Sequence, residues 1–73
     1  MTADPARIRK RSVLVSAHAT SVSLEDAFWR QLKIIARKRG LSLNGLIGEI
    51  DRQRRGNLSS AIRVFVLEKT KSG

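Results

Sequence analysis

The concentrated chemistry of this sequence lies in its cations. They fall in four clusters: Arg7, Arg9, Lys10 and Arg11; Arg37, Lys38 and Arg39 before Gly40; Arg52, Arg54 and Arg55 before Gly56; and Lys69 with Lys71. Fifteen Lys and Arg against six Asp and Glu leave a formal net charge of +9 on 73 residues. A field of that sign and density attracts polyanions, of which nucleic acid is the commonest, with anionic lipid and acidic protein as the other classes. The clusters before Gly40 and Gly56 also have a purely structural reading, because cations in the last turn of a helix complement its dipole. The first cluster has no helix to cap and reads as a basic arm that contacts a polyanion.

Catalysis has little to work with. The chain has no Cys and one His, and its six carboxylates are scattered. Disulfides and thiolate metal sites are therefore excluded, and neither a metal cluster nor a Ser/His/Asp or Cys/His set can be assembled. No enzyme activity, catalytic residue, metal site or cofactor is expected. His18 stands where an extended segment turns and reads as a structural hydrogen-bonding residue. The longest apolar run is four residues, 64–67, where a membrane span needs about 20. No apolar stretch follows the first basic cluster as a secretory signal would require, so a cytoplasmic protein is the expectation.

Those cations must be positioned by a very small domain. Chains below about 80 residues seldom stabilise themselves by a single core and commonly need a disulfide, a metal or a partner subunit; without the first two, association is the expected route. Residues 12–24 are small, β-branched or hydroxylic and read as extended chain in one or two strands broken near 16–18. In the second piece Val22 and Leu24 alternate with Ser21 and Ser23, one face apolar and the other hydroxylic.

At Ser23-Leu24-Glu25-Asp26 a capping-box-like pattern opens a helix, and the apolar period changes from 2 to about 3.6. Phe28, Leu32, Ile35 and Ala36 form its stripe and Gly40 its stop. Trp29, one position off that stripe, reads as core or dimer packing. Ser42 caps a second helix with the stripe Leu43, Leu46, Ile47 and Ile50. Gly45 and Gly48 inside it point to close approach of another backbone. Asn57 caps a third helix carrying Leu58, Ala61, Ile62 and Phe65, although the β-branched run around Val64 also suits a strand.

A strand with one hydroxyl face, a helix, a Gly-containing turn and a second amphipathic helix on a basic chain is the layout of a β-ribbon DNA reader. Three blocks carry the resemblance: His18-x-Thr20-Ser21-Val22-x-Leu24-Glu25, Ser42-Leu43-Asn44-x-Leu46-x-x-Glu49-Ile50-Asp51 and Asn57-Leu58-Ser59-Ser60-Ala61-Ile62-Arg63-x-Phe65-Val66-Leu67. The sequence resembles the ribbon-helix-helix family of the Arc and methionine repressors, and within it a group of small bacterial domains.

The resemblance implies an α+β, mainly α fold: a ribbon-helix-helix with an additional C-terminal helix, in an intertwined homodimer with an intersubunit antiparallel β-ribbon. It implies a basic flexible arm over 1–11, a domain over 12–70 with its strand region at 12–24 and helices at 25–39, 43–55 and 58–69, and a tail at 71–73. Thr20, Val22 and Leu24 would face inward, and Ala19, Ser21 and Ser23 would face the major groove of double-stranded DNA. Residues 12–16 are the alternative ribbon strand. Ser42, Leu43 and Asn44 match the family's phosphate anchor, where free backbone N–H groups and the helix dipole meet a phosphate. Arg7, Arg9, Lys10 and Arg11 would add backbone contacts.

Ala19, Ser21 and Ser23 form a sparse reading set, since hydroxyls bond base edges weakly and Ala offers only methyl contact. Two functions therefore stand side by side. One is a homodimeric transcriptional regulator, repressor or antitoxin-like, acting at the nucleoid. The other is a protein-interaction module or non-specific nucleic-acid binder, with the third helix offered to a second protein. An RNA or membrane-surface binder driven by charge alone lacks the exposed aromatics that single-stranded recognition uses.

Overall fold

The computed structural model describes residues 4 and 6–71. Two strands, β1 (Ile8–Val15) and β2 (His18–Glu25), are followed by three helices, α1 (Asp26–Lys38), α2 (Leu43–Gln53) and α3 (Leu58–Lys71). The strands pair antiparallel in the register Val15↔His18, Val13↔Thr20, Arg11↔Val22 and Arg9↔Leu24. Both belong to one chain, so the two-stranded ribbon closes on itself through a two-residue turn. The basic segment expected as an arm over 1–11 is strand from Ile8 onward, because it pairs residue by residue with β2 and Asp26 receives Arg9 and Arg11. Met1, Thr2, Ala3 and Pro5 of that arm, and Ser72 and Gly73 of the expected tail, lie outside the described residues.

The turn residues Ser16 and Ala17 have φ of 51° and 67°. Two consecutive left-handed residues give a hairpin turn whose twist matches that of its strands, a place usually filled by Asn-Gly. Here each side chain costs about 1–2 kcal/mol of backbone strain, which the packing of the strands must offset.

Helix ends follow their local chemistry. The expected cap at Ser23 is not made: Ser23 remains in β2, and α1 starts one residue after Glu25, which caps it without a side-chain bond. The strand wins because Leu24 is fully buried against the helices. At the other end Gly40 adopts φ 69°. The Leu41 N–H donates to Ala36 O at 2.9 Å and the Gly40 N–H to Arg37 O at 3.1 Å, a paired closure that only a left-handed residue permits. Ser42 Oγ accepts from the Gly45 N–H at 3.0 Å, and Asn57 Oδ1 from the Ser60 N–H at 3.2 Å, so both expected caps are formed. α2 ends at Gln53, two residues before the expected end, where Arg54 turns extended.

The inner face of the ribbon supplies Val13, Val15, Val22 and Leu24 to a core completed by Trp29, Leu32 and Ala36 of α1, Leu46, Ile47 and Ile50 of α2, and Leu58, Ile62 and Val66 of α3. Trp29 thus joins the buried stripe, while Phe28 and Ile35 are half-buried beside it. Thr20, expected to face inward, is exposed, although its cross-strand partner Val13 is buried. The close backbone approach expected at Gly48 is not found among the described residues: a Cβ there would meet only the Arg52 guanidinium, at 3.7 Å.

Replacing Ser16-Ala17 by Asn-Gly should relieve the turn strain and stabilise the fold by about 1 kcal/mol or more, read as a higher urea midpoint at constant slope. Ile62→Ala, which empties a fully buried position, should cost about 2–5 kcal/mol in the same measurement.

Candidate nucleic-acid interface

Alternation along the two strands sorts their side chains onto two faces. On the inner face lie Arg9 and Arg11, followed by the buried valines and Leu24. On the outer face lie Ile8, Lys10, Ser12 and Leu14 of β1, opposed by Glu25, Ser23, Ser21 and Ala19 of β2. Apart from the partly covered Glu25, all of these are exposed. The structure thereby brings Ala19, Ser21 and Ser23 onto one free surface and adds Lys10, Ser12 and Leu14 to it. Ser12 and Leu14 were not singled out in the sequence, because the consecutive cations at 9–11 and the unbroken apolar run at 13–15 hide the period-2 alternation of the strand.

The basic cluster is divided between the faces. Arg9 and Arg11 turn inward to one carboxylate at the start of α1, with Arg9 Nε 3.6 Å from Asp26 Oδ2 and Arg11 Nη2 3.2 Å from Asp26 Oδ1. The Arg11 guanidinium also lies over the Trp29 ring, 4.6 Å from its centroid, a cation–π contact strengthened by partial desolvation. Arg7 is exposed at the foot of the ribbon, and its carbonyl accepts from the Asp26 N–H at 2.9 Å. Of the four cations expected on an arm, Lys10 alone shares the outer face with the serines. Sequence reasoning did not separate them, because the ion pairs depend on where Asp26 falls after the ribbon folds.

The ribbon is anchored to α3. Ser23 donates its backbone N–H to Ser59 Oγ at 3.0 Å, and its carbonyl accepts from Arg63 Nη2 at 3.3 Å. Arg63 Nε also reaches Glu25 Oε1 at 2.7 Å. The Glu25 carboxyl is held below the usual carboxylate range, first by that hydrogen bond, then by the backbone bond within its own residue, with the charge of Arg63 adding to both against a desolvation that opposes them.

Elsewhere the carboxylates Glu49 and Asp51 pair with Arg39 and Arg54. Arg30, Lys33, Arg37 and Lys38, exposed along α1, have no ion pair among the described residues. Ser42, Leu43 and Asn44 open α2 at a place separate in sequence from the ribbon, with the Ser42 hydroxyl engaged by Gly45 and Asn44 exposed. Among the described residues no group of three His, Asp or Glu could hold a metal ion, and no helix is long and apolar enough to cross a membrane.

A two-stranded antiparallel ribbon with one free polar face, carried by a helical core on a cationic chain, defines a basic ribbon-helix-helix module. The chain belongs to the ribbon-helix-helix domain family, whose model matches residues 8–70. Domains of this family generally bind DNA and dimerise, and they are typically not enzymes. Among solved structures it is similar to an uncharacterized protein from Bordetella pertussis Tohama I, with a TM-score of 0.77 and 30% identity over 90% of this chain. The chain spans 58% of the length of that protein. No curated protein matches it.

The lowered Glu25 value makes stability depend on pH. A depressed carboxyl contributes fully above the unfolded glutamate value of about 4.3 and loses its contribution as pH falls through the lower folded value. The difference in urea midpoint between the native chain and Arg63→Ala should therefore be largest near neutrality and shrink as pH falls below that range.

Proposed function

We propose that this chain is a DNA-binding transcriptional regulator acting as a homodimer, which applies the outer face of its ribbon to the major groove of double-stranded DNA. The observation that carries the reading is the free face of Lys10, Ser12, Ser21 and Ser23 on a chain of net charge +9. A major groove about 12 Å wide admits a two-stranded ribbon. Lys10 supplies the long donor that Ala19, Ser21 and Ser23 lack, and it bonds either a guanine edge or a phosphate. Arg7 at the foot of the ribbon and the N–H groups opened at Ser42, Leu43 and Asn44 bind the sugar-phosphate backbone. Arg9 and Arg11, engaged by Asp26, serve the ribbon rather than the DNA. On this reading the protein works at the nucleoid in the cytoplasm and needs no cofactor.

A second reading is favoured by α3. Val64 and Leu67 stand 53% and 55% exposed on a helix whose other face is buried, which suits a second protein. In that case the ribbon fold is a protein-interaction module.

Selection of bound duplexes from a random pool at near-physiological salt separates the two: an enriched, palindromic motif supports the regulator, and no enrichment supports the interaction module. For the regulator, Lys10→Ala should lower the salt dependence of duplex binding by about one counterion per subunit, about two per dimer. Arg9→Ala should leave that slope nearly unchanged, and Ser21→Ala should relax sequence preference at one position.

A further inference from the structure

Helix α1 carries a concentration of cations that the ribbon does not use. Arg30, Lys33 and Arg37 each follow one of the buried residues Trp29, Leu32 and Ala36, so they form a parallel row about 100° round the helix from the core. Spacings of three and four residues make them neighbours on one face, with Cβ atoms about 5–6 Å apart. All three are exposed, and none has an ion pair among the described residues. Arg37 stands in the last turn, where it complements the helix dipole, but Arg30 and Lys33 lie mid-helix and serve neither end. The row is headed by Asp26, whose carboxylate is shared by Arg9 and Arg11, so that its negative charge is already more than balanced.

This row lies on the inner side of the ribbon. Asp26 receives the two arginines that leave the inner face, whereas Lys10, Ser12, Ser21 and Ser23 point the opposite way. The chain measures 35 × 28 × 23 Å. A duplex with a persistence length of about 50 nm does not turn back round so small a body to meet both sides.

We propose that the exposed row of α1 holds the phosphate backbone of a second DNA duplex, so that the protein bridges two segments. Resting on the DNA-binding reading, the outer face of the ribbon takes one segment and α1 the other. The chemistry of the row selects this occupant. Ile34, at 38%, is the one large apolar side chain exposed on α1. Docking on a protein calls for desolvated aromatic or aliphatic anchors, and lying in a lipid interface calls for a broad apolar face. A phosphate backbone is held by cations alone. From Arg30 to Arg37 the row runs about 10.5 Å along the helix, a length over which a duplex presents about six phosphate charges. The contact is therefore indifferent to sequence and sensitive to salt.

The test places one duplex on beads and a second, fluorescent duplex of unrelated sequence in solution, and adds the full chain at near-physiological salt. Retention of the chain on the beads and capture of the fluorescent duplex are read together. The native chain is expected to do both. Arg30→Ala, Lys33→Ala and Arg37→Ala combined, at exposed positions where alanine favours helix, should leave helical circular dichroism and retention in place and lower capture roughly tenfold or more. Arg52→Ala, Arg55→Ala and Lys71→Ala combined remove the same charge elsewhere and should leave capture standing. Capture undiminished by the α1 substitutions, or lowered equally by both sets, would overturn the proposal. A native chain that is retained but captures nothing overturns the second face and leaves the DNA reading of the ribbon intact, and the same holds if the row instead confers binding to phosphatidylserine vesicles. Loss of retention together with capture in the α1 variant, or a native chain that is not retained at all, overturns both.

Discussion

The pairing register of β1 with β2 is the constraint on which the remaining features depend. Side chains alternate with a period of two, so a slip of one residue would turn every side chain of a strand to the opposite face. In the observed register Val13, Val15, Val22 and Leu24 reach the helical core together, and Arg9 and Arg11 arrive on the same side as Asp26. Lys10 is then left outside by the same arithmetic. The burial of four aliphatic side chains, each contributing about 1.5–3 kcal/mol, outweighs the strain of the Ser16-Ala17 turn and fixes this register against its neighbours.

Carboxylates, scarce on this chain, decide which cations are free. Asp26 occupies two arginines and Glu25 a third, and all of these pairs lie where the ribbon meets the helices. Glu49 and Asp51 neutralise cations around α2. Negative charge is thus drawn to joints between elements, and among the described residues positive charge without an ion pair is left on Arg7 and Lys10, on the exposed side of α1, on Arg52 and Arg55, and on Lys69 and Lys71 of α3. Partly covered pairs of this kind contribute modestly to stability. Their larger effect is geometric, because they orient the ribbon on the core with its polar face outward.

Much of this was readable in the amino-acid sequence. The helical stripes, the Gly40 stop and the caps at Ser42 and Asn57 rest on local chemistry, and local chemistry is what a sequence displays. The ribbon itself was half visible. Val22 and Leu24 alternate with serines and identify β2, whereas β1 begins with Ile8-Arg9-Lys10-Arg11, where the charge conceals the alternation. Its strand character depends on Asp26 and Trp29, both distant in sequence, which receive the arginines. Ser23 shows the same limit from the other side: it fits a capping pattern, yet burial of Leu24 and the bonds from Ser59 and Arg63 keep it in the strand. Ser59 and Arg63 themselves carry no sequence signal for that task, since their role exists only once α3 lies along β2.

The contact between Arg11 and Trp29 has an optical consequence. Trp29 is the sole tryptophan of the chain, 9% exposed and overlaid by a guanidinium carried on β1. Its indole therefore sits at the hinge between ribbon and helices, in a field set by a charge that travels with the strand. Any event that displaces β1 changes both the polarity and the charge at that one ring, so the chain carries an intrinsic fluorophore reporting the attachment of its ribbon.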